Sequence, residues 1–118
     1  MRMRRVILES PYAGQVEENV EYAKLALKDS LLRGESPLMS HLLYTQVLDD
    51  TVQEERKMGI CAGHDWMFVA DAVIFYIDLG MSTGMQLAFN QAHSIKQYYN
   101  PKLQIIERKI LPEVNLCA

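Results

Sequence analysis

Apolar residues follow two rhythms along this chain, short continuous runs and stripes at helical spacing, and the two alternate. Residues 4–10, RRVILES, form a β-branched run ending at Ser10-Pro11, the pattern of a buried strand leaving into a loop. PYAGQ is then a turn. Over residues 16–32 the apolar positions Val16, Val20, Ala23, Leu27 and Leu31 recur at helical spacing, with Glu and Lys on the other face, which predicts a helix. RGESP closes it, because Gly34 suits a left-handed cap and Pro37 cannot continue a helix. PLMSHLLY, residues 37–44, predicts a second strand running into a loop.

Residues 48–70 predict a second helix, with Asp50 or Thr51 as N-cap and Glu54 or Glu55 placed for a capping box. Residues 70–78, ADAVIFYID, are nearly all apolar, as befits a strand covered on both faces. Residues 82–97 predict a third helix and residues 103–110 a last strand, while 111–118 carry no clear pattern. The order β-α-β-α-β-α-β predicts an α/β protein: a flavodoxin- or Rossmann-like, mostly parallel sheet of four to five strands, flanked by helices. Ligands of such sheets bind beyond the carboxyl ends of the strands, which points to ESPYAG, SHLLYTQVLDD, DLGMSTGMQ and ERKILPE. No repeat or linker interrupts the pattern, so residues 1–118 read as one domain.

Composition removes several classes. At 118 residues, 49% apolar and 23% charged, the chain can bury one core without disulfide or metal staples. A net charge of −3 and a sequence pI near 5.6 give no field that favours phosphate backbones, so no nucleic-acid partner is expected. MRMRR is the only local basic cluster, and Glu9, Pro11 and EENVE follow where a secretory leader needs its apolar core. No run approaches the ~18 apolar residues of a membrane span, so a cytoplasmic location without membrane contact is expected. Cys61 and Cys117 are too few and too far apart for a disulfide framework or a zinc site, and neither metal nor cofactor is expected. The seven Met residues suit core or interface packing.

The predicted strand ends hold the candidate chemistry. In ESPYAG, Ala13-Gly14 lets a ligand approach the backbone, Ser10 offers a hydroxyl, and Tyr12 offers a ring that can stack on a base. A plain strand-to-helix turn is the competing reading. The segment is not G-x-G-x-x-G, and no Walker A loop occurs, so dinucleotide and P-loop sites lose their main support. In SHLLYTQVLDD, Ser40, His41 and Tyr44 sit where strand becomes loop, a favoured place for functional side chains. A structural role for a lone His is the competing reading, since no Cys or second His is spaced to share a metal. Asp49-Asp50 read most simply as a helix cap. His64 and Asp65 beside Trp66 match no metal signature, and packing or a subunit contact is expected of them. DLGMSTGMQ is the most informative segment. Asp78 at a strand end can bond ribose hydroxyls; Ser82, Thr83 and Gly84 open a helix whose N–H groups suit a phosphate, with Met85 and Gln86 next. An ordinary Ser cap competes with that reading.

ILESPYAG, then ADAVIFYIDLG, then a glycine-opened helix resemble the nucleoside 2-deoxyribosyltransferase superfamily. ESPYAG, DSLLRGESP, SHLLYTQVLDD, EERKMGI and DLGMSTGMQLA are most similar to a small phage-associated branch of it, over residues 4–107. The resemblance implies a flavodoxin-like fold, an oligomer whose neighbouring subunit completes the pocket, and ligands built from a base, a (deoxy)ribose and sometimes a 5′-phosphate. It implies a first pocket loop at Ser10, Tyr12 and Gly14, a ribose-side acid at Asp78, a phosphate-side turn at Ser82 and Gly84, and an early acidic position at Asp71. In active members a Glu near the start of the helix after the central strand attacks the anomeric carbon, because an oxocarbenium-like transition state needs a carboxylate. One alignment of that helix puts Gln86 at the nucleophile and another puts Ala88 there. Asn90 and Gln91 are also uncharged, and residues 83–98 contain no Asp or Glu. An amide is no nucleophile at neutral pH.

The expected function is therefore binding of a nucleotide or nucleotide-derived small molecule without cleavage, as in a phage protein that sequesters a nucleotide signal in the host cytoplasm. The alternative is an N-glycosidase or deoxyribosyltransferase acting on nucleoside 5′-monophosphates. Its carboxylate is then relocated to Glu9, Asp49, Asp50 or, as first choice, Asp78. A third reading is a protein-binding module marked by exposed large residues such as Met58 or Trp66. The third helix is apolar around much of its circumference (Met85, Leu87, Ala88, Phe89, Ala92, Ile95), so a homodimer or higher oligomer is expected.

Overall fold

All strands of the sheet run parallel, in the order β2-β1-β3-β4, where β1 is Arg5–Glu9, β2 is Ser36–Leu38, β3 is Ala72–Tyr76 and β4 is Gln104–Arg108. The computed structural model describes residues 2–112 and adds the helices α1 (Val16–Leu32), α2 (Ser40–Leu43), α3 (Gln53–Asp65) and α4 (Thr83–Tyr98). This is the predicted α/β architecture, with four strands. From β1 the chain passes through α1 to β2 on one side, and from β3 through α4 to β4 on the other. The carboxyl ends of the adjacent strands β1 and β3 thus form the switch point at which α/β proteins place ligands.

Alternation along the strands sorts the core into two layers. Val6 and Leu8 of β1 and Ala72, Ile74 and Tyr76 of β3 pack with Tyr22, Ala23 and Ala26 of α1. Ile7, Val73 and Phe75 face the other way, onto Met67 and onto Met85, Ala88, Ala92 and Ile95 of α4. All of β3 is buried, as a central parallel strand requires. Removing each large apolar side chain from water contributes about 1.5–3 kcal/mol, so the β1–β3 pair is a firm floor for whatever lies at its end.

A polar cross-link closes the α1 side. Arg108 of β4 donates from both terminal nitrogens to Glu35, at 2.7 and 2.6 Å, and Ser30 donates to Glu35 at 2.8 Å. Arg108 also donates to the Tyr76 hydroxyl, which donates to Asp29 at 2.9 Å. The guanidinium of Arg108 holds the Glu35 carboxyl below the usual carboxylate range. The corner between α1 and β2, where Gly34 takes φ +82 as the predicted left-handed residue, is thereby tied to the far edge of the sheet.

Pattern and structure part at particular places. Residues 37–44 are not a strand throughout: β2 ends at Leu38 and the chain turns into α2, because Met39 and Leu42 both pack into the α1-side layer. A helical turn brings such an i, i+3 pair to one side. The helix expected over 48–70 is the shorter α3, after which a 3-10 turn, Trp66–Phe68, carries the chain toward β3. Neither Asp50 nor Thr51 caps α3; Val52 holds that position without a side-chain bond. Asp49 instead accepts from the N and Oγ1 of Thr51, Glu55 accepts from the Asp49 N–H, and Asp50 pairs with Arg56. The strand over 70–78 narrows to β3, since the Ala70 carbonyl accepts from Asn100 and Asp78 enters a turn that Gly80 closes at φ +85. Ser82 caps α4, the reading that competes with a phosphate-side turn, its Oγ accepting from Met85 N at 3.2 Å. Cys61 is free and exposed, whereas Cys117 lies outside the described residues.

Candidate functional site

The loops leaving β1 and β3 and the segment after β2 converge over the switch point and enclose a cleft of about 450 Å³. Glu9, Ser10, Tyr12 and Ala13 line it from β1 and its loop, and Ser40 and His41 from α2. Asp50, Arg56, Ile60 and His64 complete one wall, and residues 82–85 at the start of α4 the other. A hollow of about 510 Å³ opens beside it, sharing Tyr12, Ala13, Asp50 and Arg56 and adding Gly14 and Thr51. Both volumes fall in the range of small-molecule sites.

Local structure fixes each group. Pro11 is buried, and Asn19 of α1 donates to the carbonyls of Tyr12 and Ala13 at 3.0 and 3.2 Å, which pins the first loop from behind. Gly14 turns that loop into α1 at φ +94, a conformation that residues with a Cβ rarely adopt. Ser10 Oγ and His41 Nε2 are hydrogen-bonded at 2.8 Å, and the His41 ring meets the Tyr12 ring edge-on, with centroids 6.3 Å apart. Burial lowers the His41 pKa to about 4, so its imidazole is neutral at pH 7. Gly63 of α3 lies so close to α2 that a Cβ there would meet Ser40 Oγ at 2.7 Å. That approach seats His41 over the cleft.

Charge in the cleft is sparse and placed. Arg56 is bonded to Asp50 at 3.2 Å. Glu9 lies on the same face of β1 as Ile7, and its carboxyl has no hydrogen-bond or ion-pair partner among the described residues. Burial pushes the Glu9 pKa up to about 8, and burial also lowers that of His64. Opposite, the N–H groups of Thr83 and Gly84 open α4 and have no intrahelical acceptor. Gly84 keeps that end open: a Cβ there would meet only Ser82 Oγ, at 4.0 Å. One guanidinium, two unspent helix N–H groups and an aromatic ring suit an anion that carries a heteroaromatic part. Among the described residues, no group of three or more His, Cys, Asp or Glu is placed to hold a metal ion.

Of the predicted site residues, Ser10, Tyr12, Ser40, His41, Ser82, Gly84 and Met85 meet in the cleft, and Gly14 lines the hollow beside it. Asp78 and Gln86 line neither. The Asp78 carboxylate accepts from the Tyr22 hydroxyl at 2.6 Å, from Ile110 N at 2.9 Å and from Leu111 N at 2.9 Å. Burial opposes its charge, but those bonds outweigh burial and hold the carboxyl below the usual range. Asp78, expected on the ribose side, thus lies outside the cleft and joins the end of β3 to the segment after β4. Gln86 is exposed and donates to Asn90, while Ala88 is buried in the core, so neither aligned nucleophile position opens to the cleft.

Sequence reasoning passed over Arg56 and Ile60 and assigned His64 to packing or a subunit contact. These three stand four residues apart and form one stripe of α3, which was the available signal. Glu9, ranked behind Asp78 as a relocated acid, lines the cleft together with Asp50. No helix among the described residues is long and apolar enough to cross a membrane. No curated protein matches the sequence. Residues 4–100, which carry every element of the cleft from β1 to α4, match the family model described as a domain of unknown function, DUF7768, and the chain belongs to that family.

Proposed function

We propose that this protein binds a nucleotide or nucleotide-derived small molecule in the cleft at the β1–β3 switch point. The observation that carries the reading is the convergence, in one cleft, of the Tyr12 ring, the Arg56 guanidinium and the open N-terminus of α4. A phosphate would accept from Thr83 and Gly84 N–H and from Arg56, and the base would lie against Tyr12. Bound without cleavage, the ligand is sequestered. The homo-oligomer belongs to the same proposal: Leu87 on α4 is 51% exposed, a position a second subunit would cover.

One observation favours a second reading, hydrolysis of an N-glycosidic bond. Glu9 brings a partly buried carboxyl to the cleft, where Asp78 does not reach. Water oxygen would bond to the anomeric carbon as the C–N bond breaks, the Glu9 carboxylate accepting a proton from the water and the leaving nitrogen taking that proton in turn. Incubation with a panel of nucleotides, followed by chromatography of the supernatant and of the heat-released fraction, separates the readings. Intact nucleotide recovered only after denaturation supports the binder, and free base accumulating at catalytic rates supports the hydrolase. Absence of any retained or converted nucleotide would overturn both.

A further inference from the structure

Helix α3 is held to the rest of the molecule along one narrow side. Arg56, Ile60 and His64 line the cleft and Gly63 meets Ser40, yet Gly63 is the one residue of this 13-residue helix that is buried. A helix of that length is marginal in water unless packing of an apolar side secures it. The opposite side is exposed and carries Glu54, Lys57, Met58, Cys61, Ala62 and Asp65. Met58 is 60% exposed, and Trp66, Phe68 and Val69 prolong the same surface, also exposed. Single exposed apolar residues are ordinary, but a run of large ones along one weakly held helix marks an interaction surface.

The charges on this side say what covers it. Lys57 and Asp65 stand two turns apart with Cys61 midway, and neither has an ion-pair partner among the described residues. If α3 lies antiparallel to the α3 of a second copy, with a two-fold axis at Cys61, each Lys57 falls opposite Asp65 of the other copy. The same axis brings each Met58 toward Trp66 of the other copy, a sulfur–aromatic contact made twice. Cys61 and Ala62 at the centre are small enough for the axes to approach to about 8–10 Å, and Glu54 falls beyond the paired region. A parallel arrangement would instead set Lys57 against Lys57 and Asp65 against Asp65. We infer that the outer side of α3 is the seam of a two-fold symmetric homodimer, held by reciprocal Lys57–Asp65 pairs about facing Cys61 residues. This deepens the homo-oligomer of the reading above and rests on that part of it alone. Arg56, Ile60 and His64 point away from the seam, so the second copy braces the cleft wall from behind and leaves both clefts open.

Sedimentation velocity over a dilution series, with circular dichroism confirming that each variant is folded, tests the inference. Wild type is expected to sediment as a dimer that dissociates on dilution. Lys57→Asp and Asp65→Lys each place like charges across the seam twice, and each is expected to raise the dimer dissociation constant at least about tenfold. The variant carrying both changes restores opposite charges and is expected to return to within a few-fold of wild type. Mild oxidation with copper(II) phenanthroline should link two copies of Cys117→Ser through Cys61, and Cys61→Ser/Cys117→Ser should give no linked dimer. A dimer that ignores both single charge reversals, or that Cys61 does not link, would overturn the α3 seam while leaving the homo-oligomer intact. A wild type that is monomeric throughout the series would overturn both, and neither result bears on nucleotide retention, which the nucleotide panel reads separately.

Discussion

At the scale of single residues, the cleft separates groups that sequence spacing makes look alike. Gln86 and Gly84 lie two positions apart on α4, yet Gln86 points to solvent and Gly84 to the cleft. Gln86→Glu is therefore expected to leave nucleotide retention unchanged and to create no glycosidase activity, as the nucleotide panel would read. Gly84→Ala is expected to hold or raise Tm, because Ala is favoured over Gly in a helix by about 1 kcal/mol and the added methyl meets open space. The same methyl intrudes where the phosphate would approach, so binding should weaken at least tenfold in a calorimetric titration. Asp78→Asn makes the opposite separation. It removes charge-assisted bonds to Tyr22, Ile110 and Leu111, and chemical denaturation should show a loss of about 1–3 kcal/mol with ligand affinity preserved. A large affinity loss in Asp78→Asn would return that residue to the binding site.

At the scale of elements, two contacts decide whether the site is assembled. Glu35 and Arg108, both largely buried, hold the corner between α1 and β2 to β4. Glu35→Ala leaves a buried guanidinium without its partner, and a destabilisation of about 3–5 kcal/mol is expected in urea unfolding. Replacing both residues by apolar ones of similar size should recover much of that loss, since the uncompensated charge is what costs most. Gly63 is the second contact. A Cβ there collides with Ser40, so Gly63→Ala must push α2 away from α3, carrying His41 off Ser10. The expected signature is a perturbed His41 imidazole resonance, with Asn100, Glu35 and the sheet unaffected.

At the scale of the whole molecule, the groups buried at one end of the sheet shape stability against pH. The His41 pKa falls from 6.5 unfolded to about 4 folded, so the unfolded chain takes up the extra proton in that window and stability rises with pH across it. The Glu9 pKa rises from 4.5 to about 8, so the folded chain holds the extra proton and stability falls as pH climbs through that range. The His41 and Glu9 slopes offset each other between about 4.5 and 6.5, where the lowered His64 adds a further rise, and above that Glu9 acts alone. Tm should therefore hold or rise slightly in mildly acid solution and decline toward pH 8. Glu9→Gln should abolish the alkaline decline and raise Tm at pH 8 relative to wild type. A Gln variant that follows the wild-type curve would show that Glu9 is solvated. On the outer surface, Met58 and Trp66 are 60% and 49% exposed, the mark named for a protein-binding face.

How much of this the chain announces depends on the range of the interaction concerned. Strands, helices, their order and the capped start of α4 follow from periods of two and 3.6 and from Gly, Pro and Ser punctuation, which act over a few residues. The parallel sheet and the end of it that holds the cleft follow in turn, because handed crossovers leave few arrangements for that order. The ownership of polar groups does not follow. Asp78 and Glu9 are both acids at strand ends, and nothing local tells which one meets Tyr22 and the chain beyond β4 and which one opens into the cleft. Arg56, Ile60 and His64 are legible as a stripe, but the wall they form exists only because Gly63 lets α2 sit against α3. Sequence by itself determined the scaffold and the neighbourhood of the site. Tertiary structure alone decided which side chains are desolvated and which are partnered, because both depend on contacts between residues distant in the chain.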